Sequence, residues 1–286
     1  MRITIDPKEV DTATFHRNLL ASVGPRPIAF ASTMDKEGNV NLSPFSFFNA
    51  FSANPPILIF SPARRVRNNT IKHTLENVRE IPEVVIGVVD YSIVEQMSLA
   101  STEFDKGVNE FAKAGFTEEK AIYVKPPLIG EALVQFECKV KEVIALGDEG
   151  GAGNLIICEV LLMHAKKTIL DKNGIVDSVK LDLVGRMGGN WYVRANRDAM
   201  FEVPKPAPDA SSIGIDALPE EIRKSGVLTG NNLARLGSVT HMPTLIELEE
   251  IETYQVKGNP HELASFLLDD GKIMEAWKVL LTTFEK

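Results

Sequence analysis

Four basic side chains lie within nine residues of an otherwise acidic chain: Arg64, Arg65, Arg67 and Lys72. His73 and Thr74 follow at the predicted start of a helix, with Thr74 as its N-cap. Free N–H groups and the positive dipole end at a helix start favour a phosphate. Arginine adds forked donors and lysine a point charge. The cluster therefore fits a terminal phosphate, and the alternative is a solvated basic loop.

The stretch "NLSPFSFFN" at residues 41–49 mixes aromatic rings with small hydrogen-bonding side chains. Taken as one strand, residues 42–51 alternate between two faces. One face carries Ser43, Phe45, Phe47, Asn49 and Phe51, and the other carries Leu42, Pro44, Ser46, Phe48 and Ala50. Apolar walls with a few placed polar groups are typical of a pocket for a flat ring with heteroatoms. The alternative is an edge strand, bent at proline, whose Ser and Asn side chains are paired.

The elements that position these residues are mostly short strands separated by Gly, Pro and Asn. A hairpin is predicted over residues 27–52 and a second over 133–170, with "GDEGGAGN" as its loop. Helices are predicted around residues 73–81 and 91–101. Many strands with few helices between them indicate an antiparallel barrel or sandwich.

The last third of the chain changes in composition. Residues 202–212, "EVPKPAPDASS", are predicted as a linker or extended strap. A helical hairpin is predicted over residues 259–284, with Asn259 as N-cap and Pro260 at the first helical position. Its apolar residues recur at helical spacing and are interpreted as core: Ile273, Trp277, Leu280 or Leu281, and Phe284.

Composition and missing motifs argue against several functional classes of protein. The 286 residues carry a net charge of −8, which argues against a nucleic-acid binder as a whole. No apolar stretch approaches the length of a membrane span, and no signal peptide is visible, so a cytoplasmic protein is expected. No nucleophile elbow, P-loop or metal-ligand spacing occurs. The sequence predicts no catalytic side chain and no metal site, which directs attention to an organic cofactor.

Residues 24–62, "KHTLENVRE" and "GGNWYVR" together resemble the flavin reductase-like, FMN-binding split-barrel family that includes flavoredoxin. The resemblance covers about residues 15–200. It implies a mainly β fold, a six-stranded antiparallel split β-barrel of Greek-key character with peripheral helices. It also implies a division into residues 1–200, the FMN-binding barrel, and 201–286, a linker and helical C-terminal extension that acts as a cap or dimer arm.

The same resemblance assigns cofactor-binding residues. Residues 41–49 would lie along the flavin, with Phe45 and Phe48 as walls. The implied contacts in and beside this stretch are Asn41, Ser43, Pro44, Ser46, Asn49, Ser61 and Pro62. Phosphate and ribityl contacts would come from Arg67, Lys72, His73 and Thr74, although the family commonly has Asp at the position of His73. Residues 186–192, with Gly189 and Trp191, would approach the flavin, either in the same subunit or from a partner subunit.

The implied function is an FMN-binding oxidoreductase: an NAD(P)H-dependent flavin reductase that passes hydride from NADH or NADPH to the flavin. A flavoredoxin-like FMN electron carrier without reductase activity is the first alternative, and a flavin-free binding or scaffold protein is the second. The expected partners are a second copy of the chain in a homodimer and an electron-acceptor protein or oxygenase, with no nucleic acid and no membrane.

Cys138 and Cys158 lie on the two arms of the second predicted hairpin, nearly equidistant from its loop. They are candidate cross-strand neighbours. In a reducing compartment we expect both to be free thiols.

Overall fold

Most of the predicted strands join one antiparallel sheet in the computed structural model, which describes residues 1–205, 211–256 and 258–284. Contacts separate a first unit, Met1–Phe201, from a second unit, Glu202–Lys286, and each is described by itself. The sheet has seven strands: β1 (Ala29–Met34), β2 (Val40–Phe45), β3 (Phe48–Ala53), β4 (Pro56–Phe60), β5 (Glu83–Val88), β8 (Val134–Ala145) and β9 (Asn154–Ala165). Strands β6 (Glu118–Glu119) and β7 (Leu128–Ile129) form a separate short pair between β5 and β8 in the chain.

The strand order of the sheet is β2-β1-β5-β8-β9-β4-β3. Every neighbouring pair is antiparallel. The predicted hairpins β1–β2 and β8–β9 are confirmed. The connection from β4 to β5 passes over β9 and β8, which gives the sheet Greek-key character.

The predicted six-stranded barrel is wrong in its strand count. The sheet has seven strands, and in the described residues no hydrogen-bonded pairing closes it between its edges β2 and β3. The physical reason lies in residues 41–51, predicted as one strand. The chain leaves β2 at Phe45 and begins β3 at Phe48, so the pleat is interrupted at Ser46 and Phe47.

Two connecting residues force the sheet to curl. The three Cα steps from Phe45 to Phe48 span at most about 11 Å. Seven strands laid flat would hold their edges about 29 Å apart. The edges must therefore approach each other at this end of the sheet, and the remaining gap between β2 and β3 splits the curled sheet.

Small and large side chains alternate on β1 and separate two cores. Ala29 and Ala31 face a core inside the curl, whereas Phe30 faces a core on the outer side. The inner core is built from five strands besides β1 and from one helix, α2: Phe45, Leu58, Phe60, Leu75, Val78, Val84, Ile86, Cys138, Val140, Ile156 and Cys158.

Helices of the first unit cover the outer side of the sheet and one mouth of the curl. They are α1 (Thr12–Ser22), α2 (His73–Glu80), α3 (Val94–Ala100), α4 (Glu110–Ala114) and α5 (Ser178–Leu181). A 3-10 turn at Tyr91–Ile93 leads into α3, which confirms the helix predicted around residues 91–101. Met97 of α3 and Phe111 of α4 pack in the outer core with Phe30. The short pair β10 (Val184–Arg186) and β11 (Tyr192–Arg194) forms a separate hairpin.

The predicted cap of α2 is wrong. The N-cap residue is Lys72, and no side chain caps the helix. Thr74 is fully buried inside the first turn, where its hydroxyl donates to Asn41 Oδ1 at 3.1 Å. Thr74 therefore joins α2 to β2 instead of capping the helix.

The two cysteines are free, as expected, and both are fully buried. In the β8–β9 register Cys138 lies opposite Val160 and Cys158 opposite Val140, so the two are not direct partners. Burial raises the pKa of Cys138 to about 12 and raises that of Cys158 as well.

The described part of the second unit is helical: α6 (Glu220–Arg223), α7 (Gly230–Leu236), α8 (Leu245–Glu249), α9 (Pro260–Asp269) and α10 (Ile273–Phe284). The predicted hairpin α9–α10 is confirmed, and the Asn259 side chain accepts from the His261 N–H as its cap. Trp277 and Leu280 are fully buried. The side chain of Phe284 and residues 206–210 of the predicted linker lie outside the described residues.

Within the described ranges no helix is both long and apolar enough to cross a bilayer. The same residues contain no group of three or more His, Cys, Asp or Glu side chains placed to hold a metal ion.

Phe60 tests the inner core, because its side chain is fully buried there. We expect Phe60→Ala to lower the free energy of unfolding by about 3–5 kcal/mol, as for other buried aromatic residues. Phe201, 86% exposed in the same unit, is the matched control, and Phe201→Ala should change the free energy of unfolding by less than about 0.5 kcal/mol. Urea unfolding followed by circular dichroism measures both. Equal losses for the two variants would contradict this core, and Phe60→Leu serves if the Ala variant does not fold.

The thiols give a second test. Because burial raises the pKa of both cysteines, each remains a protonated, shielded thiol at pH 8. We expect the native protein to react with a thiol-specific chromogenic disulfide only slowly, and to release two equivalents at once in denaturant. Fast stoichiometric reaction of the folded protein would contradict the burial of this strand pair.

Candidate functional site

A cleft of about 560 Å³ lies between the end of β2, helix α3 and the β10–β11 hairpin. Its apolar lining comes from Ile28, Pro44 and Met97, and its remaining lining residues are Ser46, Glu95, Ser98, Ser101, Arg186, Asn190 and Tyr192. Pro44 and Ser46, two residues apart at the end of β2, lie on the same side of the chain and line the same cavity. The cleft therefore combines apolar walls with polar side chains from several elements, as a small-molecule site does.

Arg26 forms hydrogen bonds to three segments around the cleft. Arg26 is 95% buried as a residue, and its guanidinium donates from Nε to Ser46 Oγ at 3.3 Å and from NH2 to the Met187 carbonyl at 3.0 Å. It also donates to the carbonyls of Leu20 and Val23, at the end of α1. Burial and the neighbouring Arg186 lower the pKa of Arg26. One side chain thus joins α1, the β2–β3 connection and the segment after β10.

The β10–β11 hairpin forms one wall of the cleft. The Arg186 guanidinium lies 4.6 Å from the centroid of the Tyr192 ring, within cation–π range. Gly189 has φ +58°, a left-handed conformation that suits glycine in this tight turn. Trp191 is 77% exposed and does not line the cleft.

A smaller cationic site adjoins the cleft. Arg65 Nε and Lys72 Nζ reach Glu103 Oε1 at 2.8 Å and 3.1 Å, and Arg67 reaches Glu103 Oε2 at 2.7 Å. Hydrogen bonds from Arg65 and then Lys72 lower the pKa of Glu103 to about 2. A carboxylate that is ionised at neutral pH therefore occupies the meeting point of three cations.

Hydrogen bonds to a side-chain hydroxyl and a backbone carbonyl hold Arg65 in this site. Its NH1 donates to Thr70 Oγ1 at 2.9 Å and to the Ile71 carbonyl, so the guanidinium is held as the chain enters α2. Arg64 is turned away and donates to Asn69 instead. The Arg67 side chain is 74% exposed.

The floor of the cationic site is polar and buried. Asn41 lies beneath it and accepts from Thr74. The Glu110 carboxylate accepts from the Leu42 N–H at 3.0 Å, and burial raises the pKa of Glu110 above its usual value. Ser43 and His73 also line this space.

Ser101, at the end of α3, lines both the cleft and the cationic site. The two cavities therefore adjoin at this residue, beside β2. Pro44 and Ser46 face the cleft, and Asn41, Ser43, Lys72, His73 and Thr74 line the cationic part.

The other predicted residues lie elsewhere in the first unit. Phe45 is buried in the inner core, 5.3 Å from the Phe60 ring, and Phe48 packs against the same core. Asn49 is exposed on β3. Ser61 and Pro62 are buried beside the β8–β9 loop, where the Pro62 carbonyl accepts from Asn154. The structure thus brings together about half of the predicted set.

Sequence reasoning missed several residues at the site, among them Arg26, Ser101, Glu103 and Glu110. Arg26 had a readable signal, because a charged residue directly before a buried apolar strand needs partners. Glu103 had none, since it is 31 residues beyond Lys72 and meets it only through the folding of the first unit.

Comparison with known proteins points in one direction. The model of the family described as "flavin reductase like domain" matches residues 22–178, more than half of the chain. An uncharacterised protein of Aquifex aeolicus is 40% identical over 196 residues, which cover 68% of this chain and 97% of that protein.

Two solved structures are also similar. Nitrilotriacetate monooxygenase component B from Bacillus cereus is 28% identical with a TM-score of 0.66, covering 71% of this chain and 99% of that one. The 2-nitrobenzoate 2-nitroreductase of Pseudomonas fluorescens is 26% identical with a TM-score of 0.63, covering 73% and 100%. The chain belongs to the flavin reductase-like domain family.

Proposed function

We propose that this protein is an NAD(P)H-dependent flavin reductase that binds FMN. The observation that carries the proposal is the junction of a ring-sized cleft with a cationic site at Ser101. A flat ring system with a phosphate at the end of a flexible chain has the shape and charge that these adjoining cavities require.

The cleft suits the isoalloxazine ring. Its volume of about 560 Å³ lies within the usual range for cofactor sites, roughly 300–1,000 Å³. Ile28, Pro44 and Met97 provide apolar contact, while Ser98 and Asn190 provide hydrogen-bonding groups for the heteroatom edge. Because Arg26 donates a hydrogen bond to Ser46, the β2–β3 connection and the adjacent end of β2 with Pro44 are held in place before any ligand binds.

The cationic site suits the phosphate. Arg65 and Lys72 point their donors at one oxyanion position, which the Glu103 carboxylate fills. The start of α2 lies beside them without a side-chain cap, so its N–H groups and dipole add to the attraction for an anion.

When bound, FMN supplies the two-electron chemistry between a nicotinamide and an acceptor, and the protein supplies binding, orientation and electrostatics. The chain's own residues therefore need no nucleophile or general base. Arg186 places a positive charge at the wall of the cleft, which favours a negatively charged group there, and Tyr192 offers a ring face for stacking.

The proposed partners follow from the relatives and the edge strand. One similar structure is component B of a monooxygenase, which supports an oxygenase as an electron acceptor for this chain. β3 is an edge strand exposed along most of its length, with Phe51 63% exposed, which supports a homodimer that covers it. The two free, buried cysteines fit a reducing cytoplasm.

A spectroscopic titration tests the reductase. We expect the purified protein to bind FMN, and the yellow flavin absorbance to be lost when NADH or NADPH is added anaerobically. Protein without FMN and FMN without protein are the controls. Tight FMN binding with no bleaching by either nicotinamide would contradict the reductase and favour an electron carrier. Absence of FMN binding would contradict both.

The phosphate site has its own test in Lys72→Met. Losing one charge-assisted hydrogen bond to the phosphate should weaken FMN binding about tenfold. Riboflavin, which lacks the phosphate, should bind the variant and the native protein equally. Lys141→Met is the matched control, because Lys141 also forms an ion pair, with Glu159 on β9.

Flavin fluorescence quenching gives the affinities for both ligands. An equal loss of riboflavin and FMN affinity in Lys72→Met would contradict a phosphate contact.

A further inference from the structure

The cationic site already holds an anion, and that anion belongs to the chain itself. Glu103 lies in the segment between α3 and α4, two residues after Ser101. In the described residues its carboxylate pairs with three cations: Arg65, Arg67 and Lys72. Only about 20 Å³ of free space remains in this part of the site.

The contacts of Glu103 are those that a phosphate would need. Arg65 has its NH1 committed to Thr70 and Ile71, and its Nε to Glu103. Lys72 directs its ammonium at the same carboxylate oxygen. A phosphate oxygen and the Glu103 oxygen therefore compete for the same two donors, and both do not fit in the space present.

We propose that Glu103 is a specificity-determining residue: its carboxylate closes the phosphate site in the flavin-free protein, and an incoming phosphomonoester displaces it. The flavin part of this inference rests on the proposed function. A phosphate carries a charge of about −1.5 to −2, against −1 for the carboxylate, so it competes well for the cations. An uncharged ribityl end has no means of displacing Glu103.

The Glu103 carboxylate has access to solvent on the side of Arg67. The Glu103 side chain is 37% exposed, and Arg67, which holds its second oxygen, is 74% exposed. Glu103 can therefore swing toward solvent while it keeps its pair with Arg67. Arg65, 15% exposed and held by its other hydrogen bonds, stays behind to receive the phosphate.

Glu103→Gln tests the competition, because it keeps the shape of the side chain and removes its charge. We expect FMN to bind the variant roughly tenfold more tightly, the size expected for a partly exposed carboxylate that bridges several cations. Riboflavin affinity should change less than about twofold. Glu159→Gln, which removes a similarly exposed carboxylate paired with Lys141, should change neither affinity.

Fluorescence quenching titrations with FMN and riboflavin give these ratios, and circular dichroism checks that each variant is folded. Glu103→Ser, which removes the carboxylate altogether, should show the same direction as Glu103→Gln. Unchanged FMN affinity in both variants would overturn the inference. Weaker FMN binding would also overturn it, because Glu103 would then be orienting the cations for the ligand.

Inorganic phosphate separates this inference from the proposed function. Line broadening of its phosphorus NMR signal should report tighter binding to Glu103→Gln than to the native protein. If phosphate binds the variant more tightly and neither protein binds FMN, the flavin function fails while the gating role of Glu103 stands. If FMN binds both proteins equally and phosphate does too, the flavin function stands and the role of Glu103 fails.

Discussion

Two residues, Ser46 and Phe47, connect the opposite edges of a seven-stranded sheet, and this short connection constrains the rest of the first unit. The sheet must curl for so few residues to span its edges. The curl creates an inner core that takes up Phe45 and Phe60. It also leaves β2 as an edge whose polar residues are free to line a site, since an edge strand has one side without a neighbouring strand.

Arg26 links that connection to the remainder of the site. A buried guanidinium is costly unless its donors are satisfied, and Arg26 satisfies them with Ser46, Met187 and the end of α1. Each of these partners therefore has a defined position relative to the others. Ser46 and the segment after β10, which both border the cleft, are therefore positioned by the same set of hydrogen bonds before a ligand arrives.

Electrostatics give the two adjoining cavities different properties. Three cations concentrate positive charge around Glu103 in the cationic site, although the whole chain has a net charge of −8. The cleft is lined mainly by neutral side chains, with Glu95 and Arg186 as its charged residues. A ligand that is neutral and flat at one end and anionic at the other is complementary to both cavities. Glu103 balances the three cations in this structure, and in the proposed exchange a phosphate would take its place beside Arg65 and Lys72.

The sequence by itself determined the antiparallel strands and both hairpins of the sheet, the helical hairpin with its Asn259 cap, and the basic cluster before α2. These depend on local chemistry: alternation, turn residues, capping and charge density act between neighbours in the chain. Tertiary structure alone decided that residues 41–51 form two strands, that Thr74 bonds Asn41 and leaves the cap to Lys72, and that Glu103 meets Arg65. Each of these results depends on contacts between distant segments, and the curl of the sheet sets their distances.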